Sequence, residues 1–244
     1  MSARRTAAVA TRVLTQLRRD PRTIALIVAV PCVLQTLLKE LFIDQPQTFQ
    51  HIGAPLLGLF PFITMFLVTS VTMLRERTTG TLERLMTLPL GKGDLLAGYA
   101  LAFGLAAAVQ AIVVSALAFG VLGLDVQGPE AVVVALAILN ALLGTTLGLF
   151  VSAFARTEFQ AVQFMPAVVF PQILLCGLFV ARDAMADWLR VLSALFPLTY
   201  AYDALARTAA DNFDARFALD VALTCAFVVA ALALGAVTLR RRTD

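Results

Sequence analysis

The sequence predicts an all-α polytopic membrane protein: six transmembrane helices, an N-terminal amphipathic interfacial helix and an external re-entrant helical segment before helix six. Three observations predict it. Of 244 residues, 60% are hydrophobic and 14% charged, against roughly 25% charged in a soluble domain. A soluble globule of this length cannot hide so much apolar surface, and a chain this apolar is not disordered. The apolar residues gather into six long runs free of Asp, Glu, Lys and Arg, and the remaining charges are sorted by sign between the loops.

The uncharged runs cover 23–38, 45–74, 95–124, 131–155, 159–181 and 221–239. Crossing ~30 Å of hydrocarbon takes roughly 20 apolar residues. With their margins, the runs predict spans at about 23–43, 52–74, 95–122, 131–155, 159–181 and 218–239, all within one transmembrane domain over 1–244. The first run is the shortest, and Lys39 at its end can snorkel to the headgroups. A seventh run, 191–202, has the length of a re-entrant or interfacial segment.

Ahead of the first span, residues 3–19 read as an amphipathic helix. Val9, Ala10, Val13, Leu14 and Leu17 fall on one arc, and Arg4, Arg5, Arg12, Arg18 and Arg19 on the other. Such a helix lies in the headgroup plane of an anionic leaflet, which makes membrane lipids a partner. Asp20-Pro21 turns the chain into span one. The arginines interrupt the first apolar stretch, so no secretory signal peptide is visible.

Within the spans, Pro31, Pro55, Pro61, Pro166 and Pro171 each remove a backbone donor and kink or interrupt a helix. Asn140, Gly144, Gly148 and Ser152 form a stripe at every fourth position of span four. Its GxxxG core lets two helix backbones approach closely, within or between subunits. Gln35, Thr64, Gln110, Asn140, Gln163 and Gln172 are polar residues inside spans. They are candidates for a substrate path, or for hydrogen bonds between helices. Cys32, Cys176 and Cys225 fit no zinc or redox spacing and read as packing residues. No metal site and no catalytic residue is expected.

Charge gives the orientation. Six spans place both termini on one side. Fourteen of the 19 basic residues and six of the 16 acids fall on the side of the termini, which makes that side the cytoplasm. A basic face turned to the membrane argues against nucleic acid as a partner. No Asp, Glu, Lys, Arg or His lies deep in a run, and no GxxxxGK[ST] loop is present. Ion-driven transport needs the first and ATP hydrolysis the second. Any energy source is therefore expected on another polypeptide.

The most unusual cytoplasmic segment follows span two. Residues 75–90 read Arg-Glu-Arg-Thr-Thr-Gly-Thr-Leu-Glu-Arg-Leu-Met-Thr-Leu-Pro-Leu. Thr79 or Thr81 can cap a short helix, and Glu83 stands in its first turn. Leu82, Leu85 and Met86 share a face, and Pro89 ends the helix. Such a helix can dock into a groove of a soluble partner.

This segment resembles the cytoplasmic signature of the ABC-2 family of exporter permeases, with Leu88 standing between Thr87 and Pro89. Residues 147–181 are similar to the family's span four, short turn and proline-bearing span five, with Cys176 where Ser is common. Phe-Pro-Leu-Thr-Tyr at 196–200 resembles its Asn-Pro-Leu-Thr-Tyr segment. In size and layout the chain looks most like daunorubicin-resistance permeases of bacteria.

The resemblance implies a half-transporter of the bacterial cytoplasmic membrane. Two permease chains, identical or different, would pair with two copies of a separate P-loop ATPase that holds ATP and Mg. No cofactor is implied in this chain. Glu76, Gly80, Thr81, Leu82, Glu83, Leu85, Met86 and Pro89 would form the coupling helix against the ATPase. Arg156 and Glu158 would make a second contact. The substrate class implied is hydrophobic or amphipathic: a drug, lipid or glycolipid. The alternative is a non-transporting structural or assembly membrane protein.

Overall fold

A computed structural model describes residues 2–87 and 91–238, and all its regular structure there is helical. The elements are α1 (Ala3–Arg18), α2 (Pro21–Leu41), α3 (Pro46–Thr78), α4 (Thr81–Thr87), α5 (Lys92–Gly120), α6 (Glu130–Val151) and α7 (Glu158–Leu175). A 3-10 turn (Arg182–Ala184), α8 (Asp187–Ser193), α9 (Pro197–Ala209) and α10 (Ala215–Thr238) follow.

Local chemistry sets the ends. Asp20 accepts from the Thr23 amide and hydroxyl, and Pro21 occupies the first turn of α2, where a missing N–H costs nothing. Thr157 caps α7 through the Gln160 amide. Gly80, at φ +69°, reverses the chain between α3 and α4, a conformation that favours glycine. The Thr79 hydroxyl donates to the Arg75 carbonyl at 2.7 Å, so it closes α3 rather than capping α4.

Among the described residues, five helices are long and apolar enough to cross a membrane by length and composition: α2, α3, α5, α6 and α10. The first includes Lys39 and Glu40, so 21 residues replace a 16-residue run. Run 159–181 yields the shorter α7, of 18 residues; its Glu, three Gln and two Pro keep it outside that set.

The core is built around α3, which is buried along most of its length, while α2 and α10 present most of their surface outward. The α6 stripe packs on α3 within the chain. A Cβ added at Gly144 would strike the Phe62 carbonyl, and one at Gly148 would lie 2.5 Å from the Phe66 carbonyl. One turn earlier, Gly58 of α3 lies against Asn140. The register offset stays at 82 residues (140 − 58, 144 − 62, 148 − 66), so α3 and α6 run parallel. Two spans that cross in the same sense are required to do that.

The ends of the bundle separate the loops as the charge pattern expects. At one end, Ser2, Arg12, Arg75, Glu76, Asp94 and Glu158 meet through hydrogen bonds. At the other, Gln50 bonds Gly123 and Asp125, and Gln127 bonds Ala209. Lys39 lies 5.2 Å from the centre of the Phe49 ring, tying the end of α2 to the start of α3.

Candidate functional site

The site at the first end begins with α1. Val9, Ala10 and Val13 are buried on the start of α5, where Gly98 admits Val9 and the Thr6 backbone. Part of the apolar face expected to meet lipid is thus covered by protein. The Ser2 amide donates to Asp94 at 2.8 Å, fixing the start of α1 to the first turn of α5. Arg4, Arg5, Arg18 and Arg19 remain exposed.

Arg12 departs from those arginines. It donates to both carboxylate oxygens of Glu76 at 3.1 and 2.9 Å, and to the Tyr99 hydroxyl at 3.2 Å. Burial works against the Arg12 charge, but the hydrogen bonds to Glu76 and Tyr99 outweigh it and hold the guanidinium above its ordinary pKa. Glu76 is only 7% exposed. One residue joins the basic N-terminal helix to the end of α3 and the start of α5, immediately before Gly80 and α4.

A second clamp lies alongside. Arg75 donates to Glu158 at 2.7 and 3.0 Å, joining the end of α3 to the start of α7. The Arg75 bond holds the Glu158 carboxyl below the usual carboxylate range. Glu158 also stands in the first turn of α7, where the helix dipole favours an anion. Arg156 is exposed in the connection that precedes α7.

In α4, Leu85 packs against the cluster that holds Val9, Val13 and Tyr99, while Arg84 and Thr87 are exposed. Gly80 and Thr81 are half-buried at its start. The side chains of Leu82, Glu83 and Met86, and the whole of Pro89, lie outside the described residues. Of the expected coupling set, Glu76 and Glu158 are brought into ion pairs on either side of the α3 end. Of that set Arg156 and Glu158 are exposed, and on α4 Arg84 and Thr87, which lie outside the set, are exposed as well.

The polar span residues divide. Gln35 is buried and donates to the Gly53 carbonyl at 3.2 Å. Gln110 is buried and donates to the Ile27 carbonyl at 2.7 Å and to the Thr64 hydroxyl. The Ile27 carbonyl is the one that Pro31, four residues on, leaves without a helical donor. Gln110 of α5 therefore satisfies the kink in α2. Gln172 receives the Leu198 amide at 3.4 Å, and Asn140 packs on Gly58. Gln163 faces outward from α7.

At the opposite end stands a charge network. Arg182 donates to Asp203 at 2.8 Å and Arg207 to Asp214 at 2.9 Å; Arg207 also lies 3.4 Å from Asp220. Burial raises the Asp203 carboxyl, against the opposing pull of Arg182. Asp220 is 2% exposed in the first turns of α10. The sequence places it at the margin of span 218–239, one residue before the uncharged run begins, and gives no sign that it is buried. Among the described residues, no group of three or more His, Cys, Asp or Glu is placed to hold a metal ion.

A family model described as ABC-2 type transporter matches residues 4–208. The chain is similar to ABC transporter G family member 20 of Dictyostelium discoideum, 26% identical over 147 residues, 60% of this chain and 20% of that one. It is also similar to the probable multidrug ABC transporter permease YbhR of Escherichia coli (strain K12), 28% identical over 148 residues, 61% and 40% of the two chains. The matched stretches thus span less than half the length of these curated relatives.

Proposed function

Because the chain belongs to the ABC-2 type transporter family, we propose that it is the membrane permease subunit of an ABC exporter. It moves a hydrophobic or amphipathic molecule (drug, lipid or glycolipid) outward across a bacterial cytoplasmic membrane. ATP and Mg are held by a separate P-loop ATPase, present in two copies, and a second permease chain, identical or different, completes the path. α7 serves as the sixth span, both termini face the cytoplasm, and the segment from Arg182 to Ala209 lies on the external side.

One observation carries this reading. The short cytoplasmic helix α4 is mounted directly beyond two ion-paired clamps, Arg12–Glu76 and Arg75–Glu158. A push on α4 from outside the membrane reaches α1, α3, α5 and α7 through these paired contacts. Glu76 acts from a buried position, as the joint between α1 and α3. The spans between hold no deep charge by which an ion gradient could drive the cycle.

Co-expression with the ATPase encoded beside this chain tests the proposal. The two should co-purify, and amphipathic compounds should stimulate ATP hydrolysis by the complex. Failure to co-purify any ATPase would favour a structural or assembly role instead.

A further inference from the structure

We propose that α2 bends at Pro31 during the transport cycle, with Gln110 of α5 as the residue that positions the hinge. The cytoplasmic half of α2 moves with α1, while the outer half stays on α3. This rests on the reading of the chain as a permease driven through α4 and α1.

Pro31 divides α2 into two differently fastened halves. It has no N–H, so the hydrogen-bond ladder of α2 lacks one rung near mid-length, at the Ile27 carbonyl. Below that point, Ile27 and Val28 pack into the cluster that also holds Val9 and Val13 of α1. Above it, Cys32, Leu38 and Phe42 pack into a separate cluster with Phe49, Ala54 and Leu57 of α3. Polar ties fix the outer half to α3 as well: Gln35 donates to the Gly53 carbonyl, and Lys39 lies over the Phe49 ring. Among the described residues, the cytoplasmic half has a single polar tie to a spanning helix, the Gln110 amide on the Ile27 carbonyl at 2.7 Å.

Gln110 holds this rung from a fully buried position. Its Nε2 also donates to the Thr64 hydroxyl of α3, which sets the amide between three helices. Its Oε1 is buried without a donor among the described residues. An unpaired buried oxygen makes the held state less stable than a fully bonded one, which keeps a released state within reach. The corner that leads into α2 is tight, because Asp20 binds both the amide and the hydroxyl of Thr23. Arg12 of α1 is in turn clamped to Glu76. A displacement of α1 therefore carries into α2 as far as Pro31, where the ladder is open and helices bend most sharply.

Spin-label distances in the full chain, assembled with its ATPase in lipid nanodiscs, test the hinge. Cys32, Cys176 and Cys225 are replaced by Ala, and labelled chain is diluted with unlabelled chain so that distances are read within one copy. One label sits at Arg22 or Leu37 of α2, and the other at Val229 of α10; all three positions are exposed. The arm from Arg22 to Pro31 is about 13 Å of helix, so a change of about 20° at the proline moves its end by about 5 Å. ATP bound without hydrolysis should shift the Arg22–Val229 distance and leave Leu37–Val229 unchanged. Equal shifts at both positions, or none at either in a complex that transports, overturn the proposal. Gln110→Leu should broaden the Arg22–Val229 distances even without nucleotide or ATPase, and an unchanged distribution there also overturns it. Pro31→Ala combined with Gln110→Leu separates a hinge from packing alone. Thermal stability should recover, since a helical N–H returns to the Ile27 carbonyl, while the nucleotide-driven shift and transport per ATP stay low. Recovery of transport together with stability overturns the proposal. A chain that binds no ATPase sinks the permease reading, whereas the nucleotide-free distances still decide the hinge.

Discussion

Gly144 of α6 lies against the backbone carbonyl of Phe62 in α3, so closely that any side chain at 144 would occupy that oxygen's place. This contact and its repeat at Gly148 and Phe66 hold the two most intimately packed helices in parallel register.

Gly144→Val should therefore damage the bundle, because the obstacle is backbone rather than a movable side-chain tip. Overpacking costs typically about 1–3 kcal/mol. The unfolding midpoint in detergent should fall, and Gly104→Ala should cost less, since a Cβ there meets only the Leu142 side chain at 2.9 Å.

Gln110→Leu removes the donor that satisfies the Ile27 carbonyl at the Pro31 kink. Hydrogen bonds between membrane helices average about 0.6 kcal/mol and reach about 1.7 kcal/mol. The loss should sit toward the upper end, because a buried carbonyl is left unpaired. Pro31→Ala restores a helical N–H to that carbonyl and should reduce the cost of Gln110→Leu. A double-mutant cycle on thermal stability measures this coupling.

Glu76→Gln keeps shape but removes the charge that Arg12 holds at 2.9 Å. The complex should still insert and assemble, while transport per ATP hydrolysed falls. Exchanging the two residues, Arg12→Glu with Glu76→Arg, should recover part of the loss. Single-turnover ATPase and transport measurements on the same vesicles separate the two quantities.

The Arg75–Glu158 clamp carries a pH dependence whose sign follows from the lowered Glu158 carboxyl. Its contribution is present above the ordinary glutamate pKa of about 4.3 and is lost as the pH falls through the lower folded value. Amide exchange at the start of α7, corrected for intrinsic rates, should therefore rise under strong acid. Glu158→Gln should show the higher exchange at every pH.

Much of this architecture is legible in the sequence because the bilayer demands it. Long uncharged runs become helices, and the sorting of Arg and Lys between loops matches the two ends of the bundle. The small-residue stripe in α6 is legible as helix packing, although only the structure shows that its partner is α3. Side-chain pairings are less legible. Arg12 lies on the polar arc of a helical wheel, which carries no information about Glu76, 64 residues away. Its position between Val9 and Val13 is the one local sign that it turns inward. Asp220 stands at the margin of span 218–239, and nothing in the sequence shows that α9 covers the first turns of α10 and buries it against Arg207. The role of Gln110 needs two helices at once: the carbonyl orphaned by Pro31 in α2 and a donor in α5.

The most direct test of the central claim is uptake of a fluorescent amphipathic compound into inside-out vesicles with and without the partner ATPase. Uptake should require the chain, the ATPase and hydrolysable ATP together, and should fall with Glu76→Gln while the complex stays assembled. Full uptake by the chain alone, without the ATPase or ATP, would contradict the account.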